Sequence, residues 1–141
     1  MSMKIIKLFV YQCVLVIALL AAEYLLKEVL LLYQKDQLRG NAKALALLER
    51  EALHGNQNAS FLLATAYHNG KTGAVDIKKA LYWYKVSAYN GDADAMLMLG
   101  WIYYKQPKNL EVNLRKARYW FKRSASKGVD EAIEMLNLLG Q

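Results

Sequence analysis

Residues 59–91 read ASFLLATAYHNGKTGAVDIKKALYWYKVSAYNG, and residues 95–128 read AMLMLGWIYYKQPKNLEVNLRKARYWFKRSASKG. Aligned, the two stretches repeat. Ala59 and Ala95 are 36 apart, as are Tyr67 and Tyr103, while Ala80 and Ala117, and Trp83 and Trp120, are 37 apart. Ala132 continues the first series, and Gly55, Gly91 and Gly128 recur at steps of 36 and 37. A period of this size marks stacked supersecondary units.

Each unit predicts a helix hairpin. Ala59, Leu63, Ala66 and Tyr67 recur at steps of three and four, one face of a helix, and Ala80, Trp83 and Ala88 do the same for a second helix. Small residues at Ala59 and Ala80 allow close helix approach, and the large Tyr and Trp fill the space between turns. Gly70 and Gly73 permit the turn, and Asp92 suits the cap of the next helix. A lone hairpin cannot bury its apolar face, whereas stacked ones share a core.

Composition agrees. The 141 residues allow about one domain. Ten Tyr, three Trp and three Phe exclude a disordered polymer. One Cys excludes a disulfide framework and a cysteine-based zinc site, and two His make a His-rich metal centre unexpected. The fold class expected is all-α, a solenoid of stacked hairpins behind an N-terminal hydrophobic helix.

The pattern of Ala, Leu-Gly, Tyr, Gly, Lys-Ala, Trp, Ala and Gly, twice in register, resembles the Sel-one-like repeat family, relatives of tetratricopeptide repeats. The likeness covers residues 58–128, as units at 58–91 and 94–128. The second unit departs from it where Lys105-Gln106-Pro107-Lys108-Asn109 replaces the glycine-bearing turn; Pro107 still blocks a helix there, so a hairpin with a different loop is expected. Ala22 precedes Ala59 by 37 residues and Ala44 precedes Ala80 by 36, so residues 22–55 read as a degenerate first hairpin with Gly40 in its turn. Residues 129–141 read as a capping helix with Glu131 and Glu134 toward water.

At the N-terminus, Lys4 and Lys7 precede an uncharged run from Leu8 to Ala22, roughly 22 Å as a helix. Extended to Ile5–Leu26 the segment is roughly 33 Å, enough for a hydrocarbon core of roughly 30 Å. An uncleaved single-pass anchor over residues 1–26, a cleaved signal and a soluble core or partner-binding helix compete. The anchor is favoured, because Leu19 and Leu20 spoil the small-x-small cleavage pattern. Lys and Arg are balanced across the span, and the short N-terminal flank favours repeats on the periplasmic or other extracytoplasmic side. The apolar face of Leu25, Leu26, Val29, Leu30 and Tyr33 then continues straight into the stack.

No catalytic constellation is expected. His54 and His68 sit near helix ends, the acids are scattered over helix starts and solvated faces, and Cys13 lies within the apolar run. Neither a metal nor a cofactor is implied, and no phosphate loop is present. In tetratricopeptide-like stacks the first helices line the concave face, so the resemblance implies the same here. Off the consensus stripe of those helices lie Phe61, Thr65 and His68, matched by Leu97, Trp101 and Tyr104. Exposed aromatics there anchor a partner, the alternative being packing against the next unit or the N-terminal helix.

A second feature is charge. Lys105, Lys108, Arg115, Lys116, Arg118, Lys122, Arg123 and Lys127 face a single acid, Glu111, in that segment. The bland reading is a solvated helix face; the functional ones are anionic lipid or an acidic protein. Nucleic acid is not expected, because no reading motif accompanies the charge. The expectation is a membrane-anchored module that binds a protein. The resemblance implies an envelope accessory or an immunity-type inhibitor of a toxic effector, a scaffold subunit of a membrane complex being the alternative, with a lipid-surface binder behind it.

Overall fold

The computed structural model describes residues 3–35, 37–106 and 110–140, without the side chains of residues 110–112. Described residues form helices only: α1 (Met3–Gln34), α2 (Ala42–Leu53), α3 (Gln57–His68), α4 (Ile77–Tyr89), α5 (Ala93–Tyr104), α6 (Leu110–Ala125) and α7 (Asp130–Leu138). The expected all-α stack is what forms. Each helix packs most closely on its chain neighbours, and α3 with α4 and α5 with α6 are the tightest pairs. Pro107, Lys108 and Asn109, invoked for the loop of the second hairpin, lie outside the described residues; the hairpin itself, α5 on α6, is present.

Side-chain caps start four of the helices. Asn41, Asn56, Asp76 and Asp92 accept from the backbone N–H groups of Ala44, Ala59, Lys79 and Ala95. Each satisfies a donor that the first helical turn leaves unpaired. Asp92 does more: its Oδ1 also accepts from Asp94 N–H, and its Oδ2 accepts from Ser87 Oγ at 2.7 Å. That ties the end of α4 to the start of α5. Gly55, Gly91 and Gly128 end the second helix of each hairpin at φ of 84°, 101° and 87°, the left-handed turn that only glycine adopts cheaply.

The core follows the repeat. Ala59, Ala95, Ala132, Ala80 and Ala117 are fully buried, and Trp83 and Trp120 fill the space beside them. At one point the fit is closer still. Gly100 lies so near Phe121 that an added Cβ would stand 2.4 Å from Cε1 of that ring. The first repeat has Ala64 and Tyr84 at the equivalent positions.

Short turns make successive helices antiparallel, so α1, α3, α5 and α7 run one way and α2, α4 and α6 the other. Asn69 Nδ2 donates to Tyr33 Oη at 3.0 Å, which sets the C-terminal ends of α1 and α3 side by side. α1 is one unbroken helix of 32 residues, about 48 Å long. Leu26, Val29, Leu32 and Tyr33 pack on the stack, whereas every described side chain from Met3 to Leu25 is exposed except the half-buried Ala22. Twenty-odd mostly apolar residues therefore project from one end of the stack. By length and composition α1 is long and apolar enough to cross a membrane.

Candidate functional site

The parallel helices α1, α3, α5 and α7 form one face, and two grooves open on it. The first, of ≈ 620 Å³, runs between α1 and α3, floored by Leu26, Leu30, Phe61 and Leu62 with Glu23 and Lys27 at its edge. The second, of ≈ 490 Å³, lies among α3, α5, α7 and the start of α4; Ile77, Met98, Trp101 and Ile102 supply its apolar wall, and His68, Lys105 and Glu131 its polar rim.

The residues expected on this face are held from below by α4 and α6. Tyr84 is fully buried, and its ring meets Phe61 edge-on at 5.7 Å and His68 at 6.0 Å. Its hydroxyl donates to Thr65 Oγ1 at 3.4 Å and lies 3.4 Å from His68 Nδ1. Burial pushes the Tyr84 phenol pKa up, with the Thr65 hydrogen bond acting the other way. Burial likewise lowers the His68 pKa, and Lys105 lowers it further. His68 thus turns to Tyr84 beside the groove rather than serving only its helix end. In the next repeat Phe121 replaces Tyr84 and Trp101 replaces Thr65; a buried Phe has no hydroxyl to satisfy, so no polar neighbour is required.

Trp101 is half-buried, edge-on to Phe121 at 5.8 Å and to Tyr104 at 5.7 Å. Its Nε1–H donates to Glu131 Oε1 at 2.7 Å, and Lys105 Nζ sits 5.3 Å from its ring centroid. Tyr104 is half-buried and lines neither groove. Leu97 differs from the expected stripe. It is 9% exposed and belongs to the core, while its neighbour Met98 lines the groove. The 36-residue step from Phe61 points to Leu97, but in α5 that position is part of the core. The stripe is therefore half-buried, with Phe61 and Thr65 in one groove and His68 and Trp101 in the other.

The basic segment does not form one patch. Lys116 Nζ lies 5.2 Å from the Tyr103 ring centroid. Arg118 turns inward, where Nη2 donates to Leu139 O at 2.8 Å. Arg123 sits among Tyr89, Tyr119 and Trp120, and its Nη1 donates to Tyr119 Oη at 3.1 Å. Arg115, Lys122 and Lys127 are exposed along α6 and beyond its end, and Lys108 lies outside the described residues. Helical geometry spreads these cations over about 18 Å between Arg115 and Lys127.

Ile77, Met98 and Glu131 are groove residues that the repeat pattern does not mark, because they converge from three different helices. Among the described residues, no three His, Cys, Asp or Glu side chains gather as a metal site.

A family model described as Sel1 repeat matches residues 57–92 and 93–129, together just over half of the chain. The first match begins with α3 and the second ends at the start of α7. No curated protein and no solved structure matches the chain.

Proposed function

The chain belongs to the Sel1 repeat family, and from that premise we propose that it is a protein-binding module held at a membrane by α1. The observation that carries the reading is the face of α1, α3, α5 and α7. It presents Phe61 and Trp101 in two apolar grooves whose rims carry both signs of charge. Apolar anchors inside a polar rim are what a protein interface uses. Family membership supports the same reading, since these repeats serve as interaction modules rather than catalysts. The exposed apolar length of α1 supports the anchor.

Within this reading the chain is an envelope accessory or an immunity-type inhibitor, with the repeats on the extracytoplasmic side. A scaffold subunit of a membrane complex is the alternative. The exposed apolar surface of α1 favours it, because that surface could pack against other spanning helices.

The test is site-specific photocrosslinking in cells, with a benzoylphenylalanine at Phe61, at Trp101, or at the outward-facing Tyr82. Adducts with a protein from the first two positions and not the third are expected. Equal adducts from Tyr82, or none at all, would sink the proposal. A phosphatase fusion after Gln141 reports the side of the membrane, and an inactive phosphatase beside a bright fluorescent fusion would move the repeats into the cytoplasm.

A further inference from the structure

Helix direction decides which charges stand at each end of the stack. The end from which α1 projects holds the turns between hairpins, with Asp94 and Asp130 at helix starts, Glu49 and Glu51 late in α2, and Lys122 and Lys127 about the end of α6; Glu131, in the first turn of α7, reaches instead to Trp101 and the ≈ 490 Å³ groove that Lys105 also lines. The opposite end holds the loops within hairpins. There Arg39, Lys43, Lys78 and Lys105 are exposed, and none of them forms an ion pair with a described residue. Asp76 lies at this end too, but its Oδ1 is taken up in capping α4 through Lys79 N–H at 3.0 Å.

The same end carries exposed apolar surface. Val75 is 61% exposed and Ile77 36%. Ile77 separates two grooves and lines both: the ≈ 490 Å³ groove beside Trp101, and a third of ≈ 560 Å³ formed by Leu45, Tyr67, Val75 and Lys78. An isolated exposed Leu or Val calls for no explanation, but apolar residues between two grooves, bordered by Lys78, Lys79 and Lys105 with Asp76 and Glu131 as the acids, describe an interface.

We propose that this rim docks an acidic segment of a partner protein, its bulky apolar side chain seated at Ile77 and its carboxylates directed to Lys43, Lys78 and Lys105. The inference rests on the protein-binding reading above and narrows it to one edge and one partner chemistry. Charge complementarity selects the sign. Distance selects protein over bilayer. The rim stands one length of α3, 12 residues or about 18 Å, from the end where α1 leaves the stack. At physiological salt, exposed charges are screened beyond about 8 Å. Headgroups around α1 would therefore barely sense the rim, whereas a soluble segment reaches it freely.

The experiment uses the full chain in nanodiscs of neutral phosphatidylcholine. The probe is a short fluorescein-labelled peptide alternating Glu and Leu, with a Gln-for-Glu counterpart, followed by anisotropy. The Glu peptide binds about tenfold more tightly than the Gln peptide, and the pair Lys78→Glu with Lys105→Glu removes about tenfold of that affinity. The pair Lys122→Glu with Lys127→Glu makes the same change in net charge at the other end and alters binding by less than about twofold. Equal losses from both pairs, or no preference for Glu, would overturn the rim. So would adding phosphatidylserine to the nanodiscs and finding that the rim cations bind that surface instead. Photocrosslinking separates the two readings: adducts at Phe61 without adducts at Val75 end the rim proposal and leave protein binding standing, while adducts at neither position end both.

Discussion

Lys79 holds its ammonium 4.9 Å from the ring centroid of Tyr67, so that the second helix of the hairpin covers an aromatic ring of the first. One repeat later Lys116 and Tyr103 form the same pair at 5.2 Å. The Lys-Ala step at residues 79–80 and 116–117 is thus a joint between helices. The lysine covers the face of the ring while its charge stays in water. Tyr67 also donates to Glu49 at 3.3 Å, and burial followed by the Glu49 charge raises its pKa.

Lys79→Ala or Lys116→Ala is expected to cost about 0.5–1 kcal/mol each, the scale of a cation–π contact near the surface. The two pairs sit in different repeats, so the double variant should lose roughly the sum. Thermal unfolding of the full chain in detergent, followed by circular dichroism, reads both effects. A double variant with an unchanged midpoint would remove the pairs from the account of stability.

Gly100→Ala sets two effects against each other. In a helix interior, alanine ordinarily gains up to about 1 kcal/mol over glycine. Here the new Cβ would stand 2.4 Å from Phe121 Cε1, well inside contact distance, and overpacking of a tight core costs about 1–3 kcal/mol. The clash should win. Adding Phe121→Leu should recover part of the loss in a double-mutant cycle, and a stabilised single variant would contradict the packing described.

Asp92→Ala should cost more than Asn56→Ala. Both remove an N-cap worth about 0.5–2 kcal/mol. Asp92 additionally holds Ser87 Oγ at 2.7 Å in a buried site, and stranding that hydroxyl adds about 1 kcal/mol or more. Ser87 Oγ also reaches Gln57 O at 3.1 Å, which limits the extra cost. Equal destabilisation by the two variants would mean that the Ser87 bond contributes nothing net.

His68 makes stability depend on pH. Its folded pKa lies below the ordinary 6.5, chiefly through burial and then through Lys105, so the unfolded chain binds the proton more readily. The contribution is therefore intact above pH 6.5, is lost as pH falls through that value, and levels off below the lowered folded pKa. Comparing the wild type with His68→Gln at about pH 7.5 and about pH 5.5 checks the sign. The wild type should lose more stability on acidification than the variant does.

Trp101→Ala should weaken partner binding by more than about 1 kcal/mol, and Tyr82→Ala should not. Glu131→Gln keeps an acceptor for Trp101 Nε1–H and should change binding little through ring placement. Binding unaltered by Trp101→Ala would remove Trp101 as an anchor of the interface.

The repeat was legible because each unit buries the same side chains. Ala59, Ala80, Trp83 and their counterparts recur since each hairpin meets its neighbour through the same close contact. Periodicity likewise marked the helices, the glycine turns and the Asp92 cap. The stripe was legible in part: Phe61, Thr65, His68 and Trp101 line grooves, but Leu97 is core, and Met98, Ile77 and Glu131 carried no signal in the repeat. The basic segment, continuous in the chain, is dispersed by the helix that carries it.

The division has a physical cause. Secondary structure, repeat length and an apolar N-terminal helix follow from local spacing of side-chain types, and the order of residues alone determined them for this chain. Which side chains meet across helices depends on the angle and closeness of packing. Only the tertiary structure could therefore seat Ile77 between two grooves, turn Arg118 inward, and set the exposed cations Arg39, Lys43, Lys78 and Lys105 at the end away from α1.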